Sequence, residues 1–106
     1  MSPEQPRQVP LRELLAEFPG ELPTGETDEV RIGAVVSDSR QVAPGALFVA
    51  CTGGSVDGHR YIPEALARGA AAVVGEQPLG SLGVPYIQVK NSHQALALLA
   101  AAFYGY

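Results

Sequence analysis

Apolar positions along this chain fall into two kinds of run, one helical in spacing and one short and continuous. Leu11, Leu14, Leu15 and Phe18 sit at i, i+3, i+4 and i+7, the stripe of a helix, with Pro10 at its first position and Gly20 as its stop. Residues 19–29 hold Pro, Gly, Thr and four acids and read as a surface loop. Val30 to Val36 is rich in β-branched residues and predicts a strand, and the polar stretch after it ends in the turn signal Pro44-Gly45. Ala46 to Cys51 is apolar throughout, which predicts a second strand covered on both faces. Thr52 to His59 is the most irregular stretch of the chain. Ile62, Ala65 and Leu66 then mark a short helix with Pro63 near its start and Gly69 as a left-handed terminator. Ala71 to Gly75 predicts a third strand, and residues 78–83 a turn-rich link. Val84 to Val89 predicts a fourth strand, with Pro85 at its start, where a missing N–H is tolerated. Asn91 or Ser92 caps a last helix running through Leu96, Leu99 and Phe103.

Strands alternating with helices over short links predict one α/β domain of three layers, a small mixed or mostly parallel sheet flanked by helices. The domain is expected over residues 10–106, after a flexible leader of residues 1–9.

Composition agrees with this and removes several functions. A hydrophobic fraction of 46% and a charged fraction of 17% in 106 residues are those of one globular domain. The twelve Gly and nine Pro stand mostly at the borders of apolar segments, so they mark turns. With a net charge of −4 and seven scattered basic residues, the chain lacks the clustered cations that phosphate backbones attract, and no nucleic-acid partner is expected. The first residues have neither a basic nor an apolar segment of a signal peptide, and the apolar run Ala95 to Tyr104 is too short to span a bilayer. No membrane partner is expected, and the expected location is the cytoplasm. Cys51 is the only cysteine, so no disulfide forms within the chain, and its neighbours Leu47-Phe48-Val49-Ala50 suggest an inert, buried thiol at a strand end.

Two polar loops carry the candidate chemistry. Ser37-Asp38-Ser39-Arg40 follows the carboxyl end of a strand, where ligands collect in open α/β sheets. Ser37 and Ser39 are suited to phosphate, ribose or uracil oxygens, and Arg40 to an anion or to a bidentate brace on Asp38. The competing reading is a purely local Asx turn. In the second loop, Gly53 and Gly54 before Ser55 let a backbone approach a ligand closely, and Val56 suits a flat ring. The loop lacks the Gly-Lys-Ser/Thr ending of a nucleotide phosphate loop and the glycine spacing of a dinucleotide fold. Asp57 suits a cap on the following helix, with His59 partly buried. A metal site is not expected, because His93 is the only other imidazole. A Cys51–His59 dyad has the residue types of a nucleophile and base but no evident orienting partner.

Taken together these residues resemble a family. Asp38-Ser39-Arg40, Val42, Pro44-Gly45, Leu47-Phe48-Val49-Ala50, Gly53, Asp57-Gly58-His59, Tyr61-Ile62, Ala65, Gly69-Ala70 and Val73-Val74 follow the order seen in the N-terminal domain of the Mur ligases. The resemblance covers about residues 10–106. The short Cys51-to-Asp57 loop, the run Tyr61-Ile62-Pro63-Glu64-Ala65 and the stretch from Ala100 to Gly105 are most similar to the MurE branch. MurF, the D-Ala-D-Ala-adding branch, shares the Asp-Ser-Arg and Asp-Gly-His elements and remains an alternative, as does a stand-alone interaction domain.

The resemblance implies that the domain holds UDP-MurNAc-L-Ala-D-Glu through its UDP part, while a central domain binds ATP and a C-terminal domain helps bind the amino acid. The parent would add meso-diaminopimelate or L-lysine during peptidoglycan synthesis. On matching positions the resemblance assigns substrate contact to Ser37, Ser39, Gly54, Ser55 and Val56, and support to Asp38, Arg40, Asp57 and His59. It assigns no catalytic residue. The chain runs to Tyr106 without a Gly-Lys-Thr loop. ATP and Mg²⁺ are therefore expected in the parent's other domains, which are this domain's partners, and the chain alone is expected to be inactive.

Overall fold

The computed structural model describes residues 8–15, 30–51, 58–78 and 82–104. Four strands, β3 (Ala34–Val36), β4 (Ala46–Val49), β5 (Ala72–Gly75) and β6 (Tyr86–Gln88), form a parallel sheet in the order β3-β4-β5-β6. Val35 stands opposite Leu47, Phe48 opposite Val73, and Val74 opposite Ile87. The predicted α/β class and the flanking helices are therefore present.

Side chains along a strand alternate between faces, and here they feed two separate cores. Val35, Leu47, Val49, Ala72, Val74, Ile87 and Val89 point to one face. They pack there with Leu11 and Leu14 of α1 (Leu11–Leu15) and with Ala95, Leu99 and Phe103 of α3 (Ser92–Tyr104). Phe48, Val73 and Tyr86 point to the other face, with Val42 and with Ile62 and Ala65 of α2 (Ile62–Ala67). All four residues of β4 and all four of β5 are buried, as a strand covered on both sides requires. Each fully buried Leu, Ile, Val or Phe contributes about 1.5–3 kcal/mol of transfer free energy.

The run from Val30 to Val36 is two strands and not one. β2 (Arg31–Ile32) pairs antiparallel with β1 (Val9–Pro10), and after Gly33 the chain enters the main sheet as β3. The Gly33 N–H donates to Gly45 O at 2.9 Å, so the kink is fixed from the adjoining turn. Pro10 is correspondingly a strand residue. The described helix starts at Leu11, whose N–H donates to Val30 O at 2.8 Å. Proline suits this edge because it has no N–H to leave unpaired. Val9, beside it, is buried and stands opposite Ile32. Phe18 and Gly20 lie outside the described residues.

Other punctuation is where the sequence places it. Gly69 has a φ of 99°, and its N–H donates to Leu66 O while that of Ala70 donates to Ala65 O, a Schellman closure of α2. A Cβ on Gly69 would also sit 2.9 Å from Pro44 Cα. Asn91 caps α3, its Oδ1 accepting from Gln94 N at 3.0 Å. α2 begins after a 3-10 turn, Gly58–Tyr61, and its cap residue is Tyr61, with no side-chain cap bond. Asp57 lies outside the described residues. Among the described residues, no helix is long and apolar enough to cross a membrane.

Candidate functional site

A parallel sheet brings the carboxyl ends of all its strands to one edge, so the segments following β3, β4, β5 and β6 share a rim. The strand order runs in sequence without a reversal. Among the described strands there is therefore no switch point, and the candidate residues are those of the rim.

At the β3 end, Ser37 is exposed. Asp38 caps a 3-10 turn, Ser39–Gln41, with its Oδ1 accepting from Arg40 N at 2.9 Å. Arg40 folds back onto the same carboxylate, Nε to Oδ1 at 3.1 Å and Nη2 to Oδ2 at 2.8 Å. The local Asx turn and the bidentate brace are thus both present. Hydrogen bonds from the Arg40 side chain and backbone hold the Asp38 carboxyl below the ordinary aspartate range, and Asp38 in turn raises the Arg40 guanidinium. The pair is open to solvent, with 81% of the Arg40 side chain exposed, so it gives the loop shape more than stability.

Ser39 differs from its neighbours. It is 6% exposed, and its Oγ donates to Glu64 Oε1 at 3.3 Å. Arg68 Nε holds the other oxygen of Glu64 at 3.1 Å, one helical turn on. Sequence reasoning missed Glu64 and Arg68. They reach Ser39 across 25 positions of chain, and only the spacing within α2, i and i+4, was available as a signal.

At the β4 end, Gly54, Ser55, Val56 and Asp57 lie outside the described residues. The chain on either side of them is pinned. Gly58 N donates to Cys51 O at 2.8 Å, and a Cβ on Gly58 would meet that same oxygen at 2.7 Å. His59 is buried, and its Nε2 accepts from Glu76 N at 2.9 Å and from Gln77 N at 3.3 Å. That nitrogen thus serves as the acceptor for both amides. Gly75 leaves the room this needs, since a Cβ there would lie 2.7 Å from both His59 Nε2 and the Tyr86 hydroxyl. Tyr86 donates to Gln77 O.

The remaining groups of the rim serve the fold. Glu76 Oε2 accepts from Ser92 N at 2.7 Å, so the positive end of α3 is already met by a carboxylate of the chain. Cys51 Sγ lies 4.0 Å from Ser92 O, and burial raises its pKa, with Glu76 adding to the rise. With His59 Nε2 accepting from the Glu76 and Gln77 backbone amides and the Cys51 thiol set against Ser92 O, that nitrogen is not directed at the thiol as a base would be. Among the described residues, no group of three or more His, Cys, Asp or Glu is placed to hold a metal ion. The sequence has no Gly-Lys-Ser/Thr phosphate loop.

Comparison with known proteins places this rim in a family context. Residues 31–104 match the model of the Mur ligase family, catalytic domain. A UDP-N-acetylmuramyl-tripeptide synthetase of Roseiflexus sp. (strain RS-1) is 61% identical over 77 residues, covering 71% of the chain and 15% of that relative. A UDP-N-acetylmuramoyl-L-alanyl-D-glutamate–2,6-diaminopimelate ligase of Chlorobium phaeobacteroides is 45% identical over 103 residues, covering 94% of the chain and 19% of that relative. The chain thus spans less than a fifth of the length of these two relatives. Among solved structures, MurF from Acinetobacter baumannii superposes with a TM-score of 0.77 over 91% of the chain and 21% of its own, at 21% identity, a likeness of fold. With 74 of its residues inside the family's pattern and its fold shared with a solved member, the chain belongs to the Mur ligase family.

Proposed function

We propose that this chain is the N-terminal domain of a MurE-type ligase and holds UDP-MurNAc-L-Ala-D-Glu by its nucleotide-sugar end. The parent enzyme, in the cytoplasm, joins meso-diaminopimelate or L-lysine to that substrate with ATP and Mg²⁺ supplied to its other domains. The observation that carries this reading is the 45% identity along 94% of the chain with a relative named for the diaminopimelate ligation. The rim agrees with a holding role. Ser37 is exposed, and Asp38 and Arg40 fix each other in the turn that follows it. Contact is assigned to Ser37, Ser39, Gly54, Ser55 and Val56, with Asp57 and His59 supporting the second loop. The ATP- and Mg²⁺-dependent activation of the carboxylate is assigned to the parent's other domains, and the chain alone is expected to hold substrate without ligating it.

The experiment is equilibrium binding of UDP-MurNAc-L-Ala-D-Glu, paired with a ligation assay containing ATP, Mg²⁺ and diaminopimelate. Saturable binding without turnover is the expected result; turnover by this chain, or no binding at millimolar ligand, would refute it. A MurF reading draws on the fold likeness to the Acinetobacter enzyme. It predicts tighter binding of the UDP-MurNAc tripeptide than of the dipeptide, where the MurE reading predicts no such gain. A stand-alone interaction domain predicts binding of neither.

A further inference from the structure

The direction of one hydrogen bond restricts what the rim recognises. A serine hydroxyl has one proton to give and two lone pairs to receive with. Ser39 gives its proton to Glu64 Oε1, and Glu64 cannot reciprocate, because an ionised carboxylate only accepts. Arg68 donates to the other Glu64 oxygen and keeps that carboxylate facing Ser39. The phosphate oxygens of a nucleoside diphosphate at neutral pH are acceptors as well. A hydroxyl whose proton is already placed has nothing to offer them.

We infer that Glu64 is a positioning residue that makes Ser39 an acceptor, so that Ser39 reads a hydrogen-bond donor on the base or sugar of the ligand and not a phosphate oxygen. This rests on the nucleotide-sugar reading of the rim. The donors such a ligand carries are its sugar hydroxyls, the uracil imide N–H and the acetamido N–H. The burial of Ser39 sharpens the choice, because a nearly enclosed hydroxyl has little solvent with which to exchange its partner.

The test compares uridine, UDP and UDP-N-acetylmuramic acid as ligands of the 106-residue chain, with thermal midpoints recorded for every variant. Ser39→Ala is expected to weaken binding about three- to tenfold, the loss typical of one neutral hydrogen bond. The loss should be equal for uridine and UDP, or appear only when the amino sugar is added. Glu64→Ala should reproduce the Ser39→Ala pattern, the double variant should lose no more than either single one, and Glu64→Gln, which keeps an acceptor oxygen, should restore most of the affinity. A loss seen with UDP and absent with uridine would place Ser39 on phosphate and overturn the inference while leaving the nucleotide-sugar reading intact. Independent, additive losses from Ser39 and Glu64 would overturn it too. Failure of the unaltered chain to bind any of the three would overturn both the reading and the inference.

Discussion

The two ends of this rim are built from similar residue types and in opposite ways. At the β3 end, Asp38 and Arg40 hold each other across two positions of chain and face water. At the β5 end, His59, Glu76, Gln77, Tyr86 and Ser92 hold each other across 9 to 18 positions, at the part-buried edge of the core. The first arrangement shapes a surface and costs little to change. The second ties the 3-10 turn Gly58–Tyr61, the end of β5, β6 and α3 together. A polar residue at a strand end is therefore no guide to its role until its partner is known. The Asp38–Arg40 pair is open to solvent, and the part-buried network is a frame of the fold.

The largest effect is expected where the frame has no slack. Gly58→Ala puts a Cβ against the Cys51 backbone and should lower unfolding stability by about 3 kcal/mol in a denaturant titration. Gly33→Ala, at a site with open space around it, should change stability by less than about 1 kcal/mol. Equal losses at the two glycines would erase the contrast between a packed junction and an open kink.

His59→Ala comes next. It removes the acceptor of the Glu76 and Gln77 amides and should cost about 2 kcal/mol, read by the same titration. A smaller effect is expected at Cys51. With its thiol pKa raised by burial, alkylation by iodoacetamide at pH 7 should run slower than for an unstructured cysteine peptide.

The least effect on stability is expected at the β3 end. Arg40→Ala should leave the thermal midpoint unchanged while moving the Asp38 carboxyl part of the way back up toward the ordinary aspartate range, since the backbone N–H of residue 40 still donates to it, followed by carboxyl-carbon NMR. The sign follows from the direction of the shift. A depressed folded-state pKa favours the folded chain above the ordinary aspartate value, and the favour is lost as pH falls through the depressed one. At so exposed a pair it should show in the titration curve and not in the unfolding curve. A marked fall in midpoint for Arg40→Ala would make the β3 end part of the frame.

What the sequence revealed and what it withheld follow the same division. Local chemistry was legible: the left-handed Gly69, the Asn91 cap, the Asx turn at Asp38, and the burial of β4 on both faces. Apolar content alone did not separate β2 from β3, because Val30 to Val36 reads as one β-branched stretch and the break at Gly33 is fixed by its N–H donating to Gly45 O. Pro10 satisfies the geometry of a helix start and of an edge strand equally, and pairing with Arg31 decided between them. The His59 and Ser39 networks were hidden for another reason. Glu76 and Glu64 read as ordinary surface acids until the fold brings them to partners 16 to 25 positions away. Gly75, at the end of an apolar strand, was the one local hint that something approaches closely there.

The central claim is that the carboxyl-end rim holds a nucleotide sugar while the frame beneath it stays fixed. Residue-resolved amide NMR during titration with UDP-MurNAc-L-Ala-D-Glu tests it most directly. The account predicts saturable shifts gathered on Ser37 to Arg40 and on the segment from Cys51 to His59, with Leu99 and Phe103 of α3 unmoved. Shifts centred on the outer face of α3, or none at millimolar ligand, would contradict it.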